Sequence, residues 1–204
     1  ELVSKAEQVG RQVIIIGEPH HPEVVGEASW CAHPLIFQGP EELTQWLEGA
    51  DFDVSVPVTV VAQTTCIREL FETSCKILKK QCTNVKIFDT ICYATRKRQP
   101  EAADIAAKVD VMVVVGDRKS ANTQHLAEIC RQNCSRVLQI EGADELSAAD
   151  FAGCALAGLT AGASTPAGII NEVKTTMSEE IKATEGMEES FEELLNQSFK
   201  TLNT

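Results

Sequence analysis

Short β-branched runs, each answered by a helical pattern, constrain this chain more than any other feature. Val13 to Ile16 is a β-branched stretch closed by Gly17, which reads as a short buried strand ending in a turn. A helical pattern over Glu41 to Leu47 follows, then a strand over Val56 to Ala62, a helix over Ile67 to Lys80, a strand over Val85 to Phe88 and a helix over Ala102 to Lys108. The rhythm then repeats. Val111 to Val115 precedes helical spacing over Ser120 to Cys130, Val137 to Ile140 precedes a helix from Ala143 onward, and Ala155 to Thr160 precedes a helix over Thr165 to Met177. Strands that alternate with helices form parallel sheets with the helices on their faces. The switch between halves falls near Asp89-Thr90-Ile91-Cys92. The expected fold is α/β, in two similar small parallel-sheet lobes over 1–91 and 92–183, followed by an acidic tail or connector over 184–204.

A chain of 204 residues, 44% apolar, is long enough for one ordinary domain or two small ones with real cores. It has no apolar run near the ~20 residues that cross a bilayer and no signal-peptide pattern, so the expectation is a cytoplasmic protein with no membrane partner. Its eight cysteines are scattered rather than set at disulfide spacings, and in a reducing compartment most serve as small buried hydrophobes. A formal net charge of −12 argues against non-specific nucleic-acid binding, which needs a basic stripe. An anionic small molecule remains compatible if local donors are arranged for it.

Such donors stand at the ends of several strands. Gly17 to Gly26, GEPHHPEVVG, follows the first strand and would bring His21 and Glu23 to the crevice at the strand carboxyl ends, where ligands of open α/β sheets bind. The plain alternative is that Pro22 and Glu23 start a helix, Pro suiting its first turn and the acid complementing its dipole. Gln63-Thr64-Thr65 follows the second strand, Gly116 to Thr123 follows Val115, and Thr160 to Pro166 closes the set. Hydroxyls and amides beside free helix N–H groups suit a phosphate or diphosphate, whereas any single one of these turns is better explained by N-capping, and it is their recurrence at several strand ends that favours a ligand. His20, His21, Cys31 and His33 are zinc-ligand types, but their spacing fits no usual structural zinc pattern.

HHPEVVG, QTT, FDTICYATRKRQ, VVVGDRKSANTQHL and GLTAGASTPAGII, in that order and at these separations, resemble the 4-hydroxy-3-methylbut-2-enyl diphosphate reductases, the LytB/IspH family, over roughly residues 12 to 177. The resemblance implies an enzyme with a 4Fe-4S cluster, built as a trefoil of three similar α/β lobes. It implies reduction of an allylic alcohol diphosphate to isopentenyl and dimethylallyl diphosphates, the last step of the non-mevalonate pathway, with reduced ferredoxin or flavodoxin as electron donor. Residue by residue, Cys92 matches one of three cluster-holding cysteines, Glu23 the acid that helps deliver protons, and Thr64 a threonine in the same hydrogen-bond network. His21 matches a histidine near the diphosphate and proton relay. Ser120, Asn122 and Ser164 match diphosphate ligands, and Ala121 stands where the family often has a second serine, leaving its backbone N–H for that role.

The same resemblance implies that the family's first lobe, two further cluster cysteines and two diphosphate-binding histidines belong upstream of Glu1, so that this chain corresponds to the last two lobes. The tail ESFEELLNQSFKTLNT resembles the connector of fused forms in which the reductase precedes ribosomal-protein-like RNA-binding repeats. The alternative class is a non-catalytic α/β module that binds a diphosphate or nucleotide; bound iron with a thiolate spectrum would separate the two.

Overall fold

The runs ending at Ile16, Ala62 and Val115 become the interior strands of two small parallel sheets, where side chains of both parities are buried. The computed structural model describes residues 1–49 and 52–202, with side chains described through residue 184. Glu1–Gln99 and Pro100–Thr204 pack as separate units.

The first unit runs α1 (Leu2–Gln8), β1 (Gln12–Ile16), α2 (Pro22–Ala28), β2 (Leu35–Phe37), α3 (Pro40–Gly49), β3 (Val58–Ala62), α4 (Arg68–Gln81) and β4 (Val85–Ile87), and ends within α5 (Tyr93–Ala106). Its four strands pair in parallel in the order β2-β1-β3-β4. Successive residues of β1 point to opposite faces. Ile14 and Ile16 join Phe37, Leu43, Phe71 and Leu78 on one side, while Val13 and Ile15 meet Val3, Ala6 and Val24 on the other. A strand covered on both faces has no polar parity, which is why the sequence reads as a continuous apolar run.

The second unit contains β5 (Val111–Val115), α6 (Ala121–Asn133), β6 (Val137–Ile140), β7 (Ala157–Ala161) and α7 (Ala167–Leu202), with the parallel order β6-β5-β7. Val111, Val113 and Val115 pack with Phe151, Val173 and Met177; Met112 and Val114 pack with Ala102, Ala106, Leu126 and Cys130.

Several boundaries differ from the sequence reading for identifiable reasons. The helix expected over Ala102 to Lys108 begins at Tyr93, because the charged run ahead of Pro100 shows no apolar periodicity and Pro100 itself lies inside the helix. The helix expected from Ala143 onward is two short 3₁₀ turns, Ala143–Glu145 and Ala148–Phe151. Asp150 accepts from both the N–H and the hydroxyl of Ser147, at 2.9 and 2.8 Å, which closes the second turn locally. The short elements α1 and β2 carry too few apolar positions to show a period. The backbone of the expected tail continues α7 as far as Leu202, while its acidic side chains from 185 on lie outside the described residues. Among the described residues no helix is long and apolar enough to cross a membrane.

Strand order places the crevices. In the first unit the chain leaves β1 toward β2 on one side and returns to β3 on the other, so the β1 and β3 carboxyl ends flank a topological switch point. The second unit repeats this between β5 and β7. Because Ile14 is fully buried and Val25 is 52% exposed on α2, Ile14→Ala is expected to cost about 2–5 kcal/mol in urea unfolding, and Val25→Ala to stay within about 0.5 kcal/mol. Equal losses would contradict this core assignment.

Candidate active site

The two switch points are built by matching backbone contacts. In the first unit Gly17 N–H donates to the Phe37 carbonyl and Gln63 N–H to the Ile16 carbonyl, each at 2.9 Å. In the second, Gly116 N–H donates to the Ile140 carbonyl and Gly162 N–H to the Val115 carbonyl, again at 2.9 Å. His21 and Ser120 are the N-cap residues of α2 and α6, so Pro22 corresponds to Ala121 and Glu23 to Asn122.

At the first switch point α2 does start with Pro22 and Glu23, and the same turn also builds a site. The His21 Nδ1 accepts the Glu23 N–H at 3.2 Å, which ties the imidazole to the helix start. The Glu23 carboxylate reaches the turn after β3: Oε1 accepts the Thr64 N–H at 2.8 Å and Oε2 the Thr64 hydroxyl at 2.9 Å. A hydroxyl both donates and accepts, so this pair stays connected whether the carboxyl is ionised or protonated. Thr64 in turn accepts the Cys92 N–H on its carbonyl at 2.9 Å. Glu23, Thr64 and Cys92, separated by most of the unit in sequence, are therefore joined through one residue.

Cys92 sits at the start of α5 with its thiol half-exposed. Burial pushes that thiol up, but hydrogen bonds from the Thr95 hydroxyl, the Thr95 N–H and the Ala94 N–H outweigh it and hold the group below the ordinary thiol range, against the opposing charge of Glu23. Thr95 Oγ1 and N lie 2.9 and 3.3 Å from the sulfur. Elsewhere burial pushes thiols up, to about 12 at Cys66 and about 11 at Cys75 and Cys130. Those cysteines are core residues, as the sequence suggests.

The second switch point carries neutral groups. Ser120 caps α6 by position, but its hydroxyl makes no capping bond, so N-capping does not account for this side chain. Ala121 and Asn122 are buried beside it, while Ser164 is exposed in the turn after β7. The zinc-type set does not assemble: among the described residues no three His, Cys, Asp or Glu side chains converge as a metal site.

The profile of the LytB protein family matches residues 1–178. This chain belongs to the LytB family. A curated relative, the 4-hydroxy-3-methylbut-2-enyl diphosphate reductase of Caldanaerobacter subterraneus subsp. tengcongensis, is 36% identical over 93% of this chain and 62% of its own length. The protein of the same name from Geobacter metallireducens is 40% identical over 85% of this chain and 60% of its own. The chain thus spans about three fifths of the length of these relatives. A solved structure of the E-1-hydroxy-2-methyl-but-2-enyl-4-diphosphate reductase from Plasmodium falciparum superposes with a TM-score of 0.77 at 23% identity, covering 85% of this chain and 54% of that one, and bears on the fold alone.

Within this LytB chain further residues hold the site in place, among them Gln63, which is turned inward rather than offered to a phosphate as the donor reading of the QTT turn expects. Gln63, fully buried, accepts the Glu18 N–H on Oε1 at 2.9 Å and donates to the Thr65 hydroxyl at 3.0 Å, splinting the two turns that carry Glu23 and Thr64. The polar QTT turn signals it, but not its inward direction. Gly17 is required by that splint, since a Cβ there would lie 2.7 Å from the Gln63 Cβ. Glu27, one turn after Glu23, shares with it a cavity of about 520 Å³, and burial followed by the Glu23 charge pushes its carboxyl up.

Thiolate is the form that alkylates, and a thiol held low reaches that form at lower pH. Cys92 is therefore expected to react with iodoacetamide at lower pH than Cys31 and Cys154. Burial pushes those two up first, aided by the Glu7 and Asp110 carboxylates respectively. Thr95→Val should move the Cys92 onset upward. Peptide mapping across about pH 6 to 9 reads this, and Cys31 reacting first would contradict it.

Proposed function

We propose that this chain supplies the proton-delivering acid, one cluster thiolate and part of the diphosphate site of a 4-hydroxy-3-methylbut-2-enyl diphosphate reductase acting in the cytoplasm. The observation that carries this reading is the continuous link from the Glu23 carboxylate through Thr64 to Cys92 at the β1/β3 switch point. The reaction on this reading removes the allylic hydroxyl as water while two electrons and two protons enter, with reduced ferredoxin or flavodoxin as the source of electrons.

Cys92 fits one ligand position of a 4Fe-4S cluster, because its sulfur already accepts an N–H bond and is held toward the thiolate that iron requires. When bound, the cluster supplies electrons and a Lewis-acidic iron for the substrate hydroxyl. Glu23 holds a proton on a carboxyl oriented by both Thr64 bonds, and releases it to the leaving oxygen. Thr64 keeps that carboxyl in place through the change of charge, and His21 anchors the helix turn from which Glu23 projects. Ser120, the Ala121 N–H, Asn122 and Ser164 bind the diphosphate as oriented dipoles, which allows a chain of net charge −12 to hold an anion. Asn122 occupies the position in α6 that Glu23 occupies in α2; an acid there would repel the phosphates, and the amide does not.

Glu23→Gln in the full-length protein tests the reading, since Gln keeps the shape and cannot give up an acidic proton. Substrate binding and the iron–sulfur absorption should persist, while turnover with a chemical reductant falls roughly 10²–10⁴-fold. Near-normal turnover with the cluster intact would remove Glu23 from the proposed mechanism.

A further inference from the structure

The second unit fits its two donor turns together through a steric key. β5 and β7 pair in parallel with Val115 opposite Ala161, so the turns that follow leave the sheet side by side. Gly162 N–H and the Thr165 hydroxyl both donate to the Val115 carbonyl, at 2.9 and 3.1 Å. Thr123, on the first turns of α6 and 1% exposed, points into the notch between them. A Cβ on Gly162 would lie 2.4 Å from Thr123 Oγ1 and 3.2 Å from Thr165 Oγ1, and one on Gly116 would lie 2.8 Å from each. Carbon atoms do not approach oxygen within 3.0 Å, so the Thr123 hydroxyl at both glycines, and the Thr165 hydroxyl at Gly116, occupy space that the glycines leave open. Gly116, at φ +150, also adopts a backbone conformation that side chains disfavour.

The first unit fills the corresponding notch differently. There a Cβ on Gly17 would meet Gln63 Cβ at 2.7 Å and Val24 Cγ2 at 3.1 Å. A long amide splints the first switch point, whereas in the second, small groups set how close the two turns come. Binding groups lose affinity steeply when displaced by fractions of an ångström. Thr123 is too buried to touch a ligand itself, yet it directly follows Asn122 in α6 and lodges against the glycine that opens the Ser164 turn.

We propose that Thr123 is a positioning residue: its γ-oxygen, seated against Gly116 and Gly162, sets the spacing of Ser120 and Asn122 from Ser164, and through it the affinity for a diphosphate group. This rests on the diphosphate reading above and adds to it a residue that does not contact the ligand.

The test is calorimetric binding of inorganic diphosphate to the full-length protein, alongside melting temperatures. Gly162→Ala, whose new methyl collides with Thr123, should weaken binding on the order of tenfold. Adding Thr123→Ala to it vacates the colliding atom and should recover most of that loss. Thr123→Ala alone should bind several-fold more weakly and Thr123→Ser, which keeps the oxygen, within about twofold of the wild type. Val113→Ala, a core change in the same unit, should lower the melting temperature without altering affinity. The proposal is overturned if Gly162→Ala binds normally, if the double variant shows no recovery, or if Val113→Ala weakens binding as much. Should Gly162→Ala fail to fold, equal affinities for Thr123→Ala, Thr123→Ser and the wild type overturn it. Ser164→Ala separates the two levels. Unchanged affinity there rejects the diphosphate reading itself, whereas a loss there beside a normal Gly162→Ala rejects only the positioning role.

Discussion

Parallel pairing of β1 with β3, and of β5 with β7, is the constraint on which the rest of this structure depends. Parallel neighbours end at the same edge of the sheet, so the turns that leave them emerge together. Without that pairing Glu23 and Thr64, 41 residues apart, would have no reason to meet. With it, two hydrogen bonds of 2.8 and 2.9 Å form between residues on adjacent turns, and the Cys92 N–H closes the set on the Thr64 carbonyl. Helix packing on both faces buries the interior strands, and the buried valines and isoleucines of β1 and β5 make the strands that hold this geometry.

The two units use one backbone plan for different chemistry. His21 and Ser120 both precede a helix, and the next two positions carry Pro22 and Glu23 in one unit but Ala121 and Asn122 in the other. A carboxylate beside a threonine can hold and give up a proton. An amide beside hydroxyls can only bind. The division of labour in the proposed reductase therefore comes from side chains placed on equivalent turns, not from different folds. The packing behind the turns differs too, with Gln63 bridging the first pair of turns and Thr123 wedged between glycines in the second.

The α/β class, the parallel sheets and most strands were determined by the sequence alone, because a strand covered on both faces is apolar at nearly every position and such runs stand out, as at Val13 to Ile16 and Val111 to Val115. The turns bearing Glu23, Thr64, Ser120 and Ser164 were legible for a related reason: small polar residues directly after such runs mark where each strand ends and the next helix begins. Short or atypical elements were not legible. Leu35–Phe37 is too brief to show a period, and the charged stretch before Pro100 hides the first turns of α5.

What only the tertiary structure decided is direction and contact. Local sequence cannot say that the Ser120 hydroxyl leaves its cap unmade, that Gln63 turns inward to bridge Glu18 and Thr65, or that Thr95 draws the Cys92 thiol toward its charged form. Each of these depends on an atom brought close by strand order or by a helix start, and on how much water the surrounding chain removes. The residue types came from the sequence; which oxygen faces which hydrogen, and at what distance, came from the pairing of strands that are far apart along the chain.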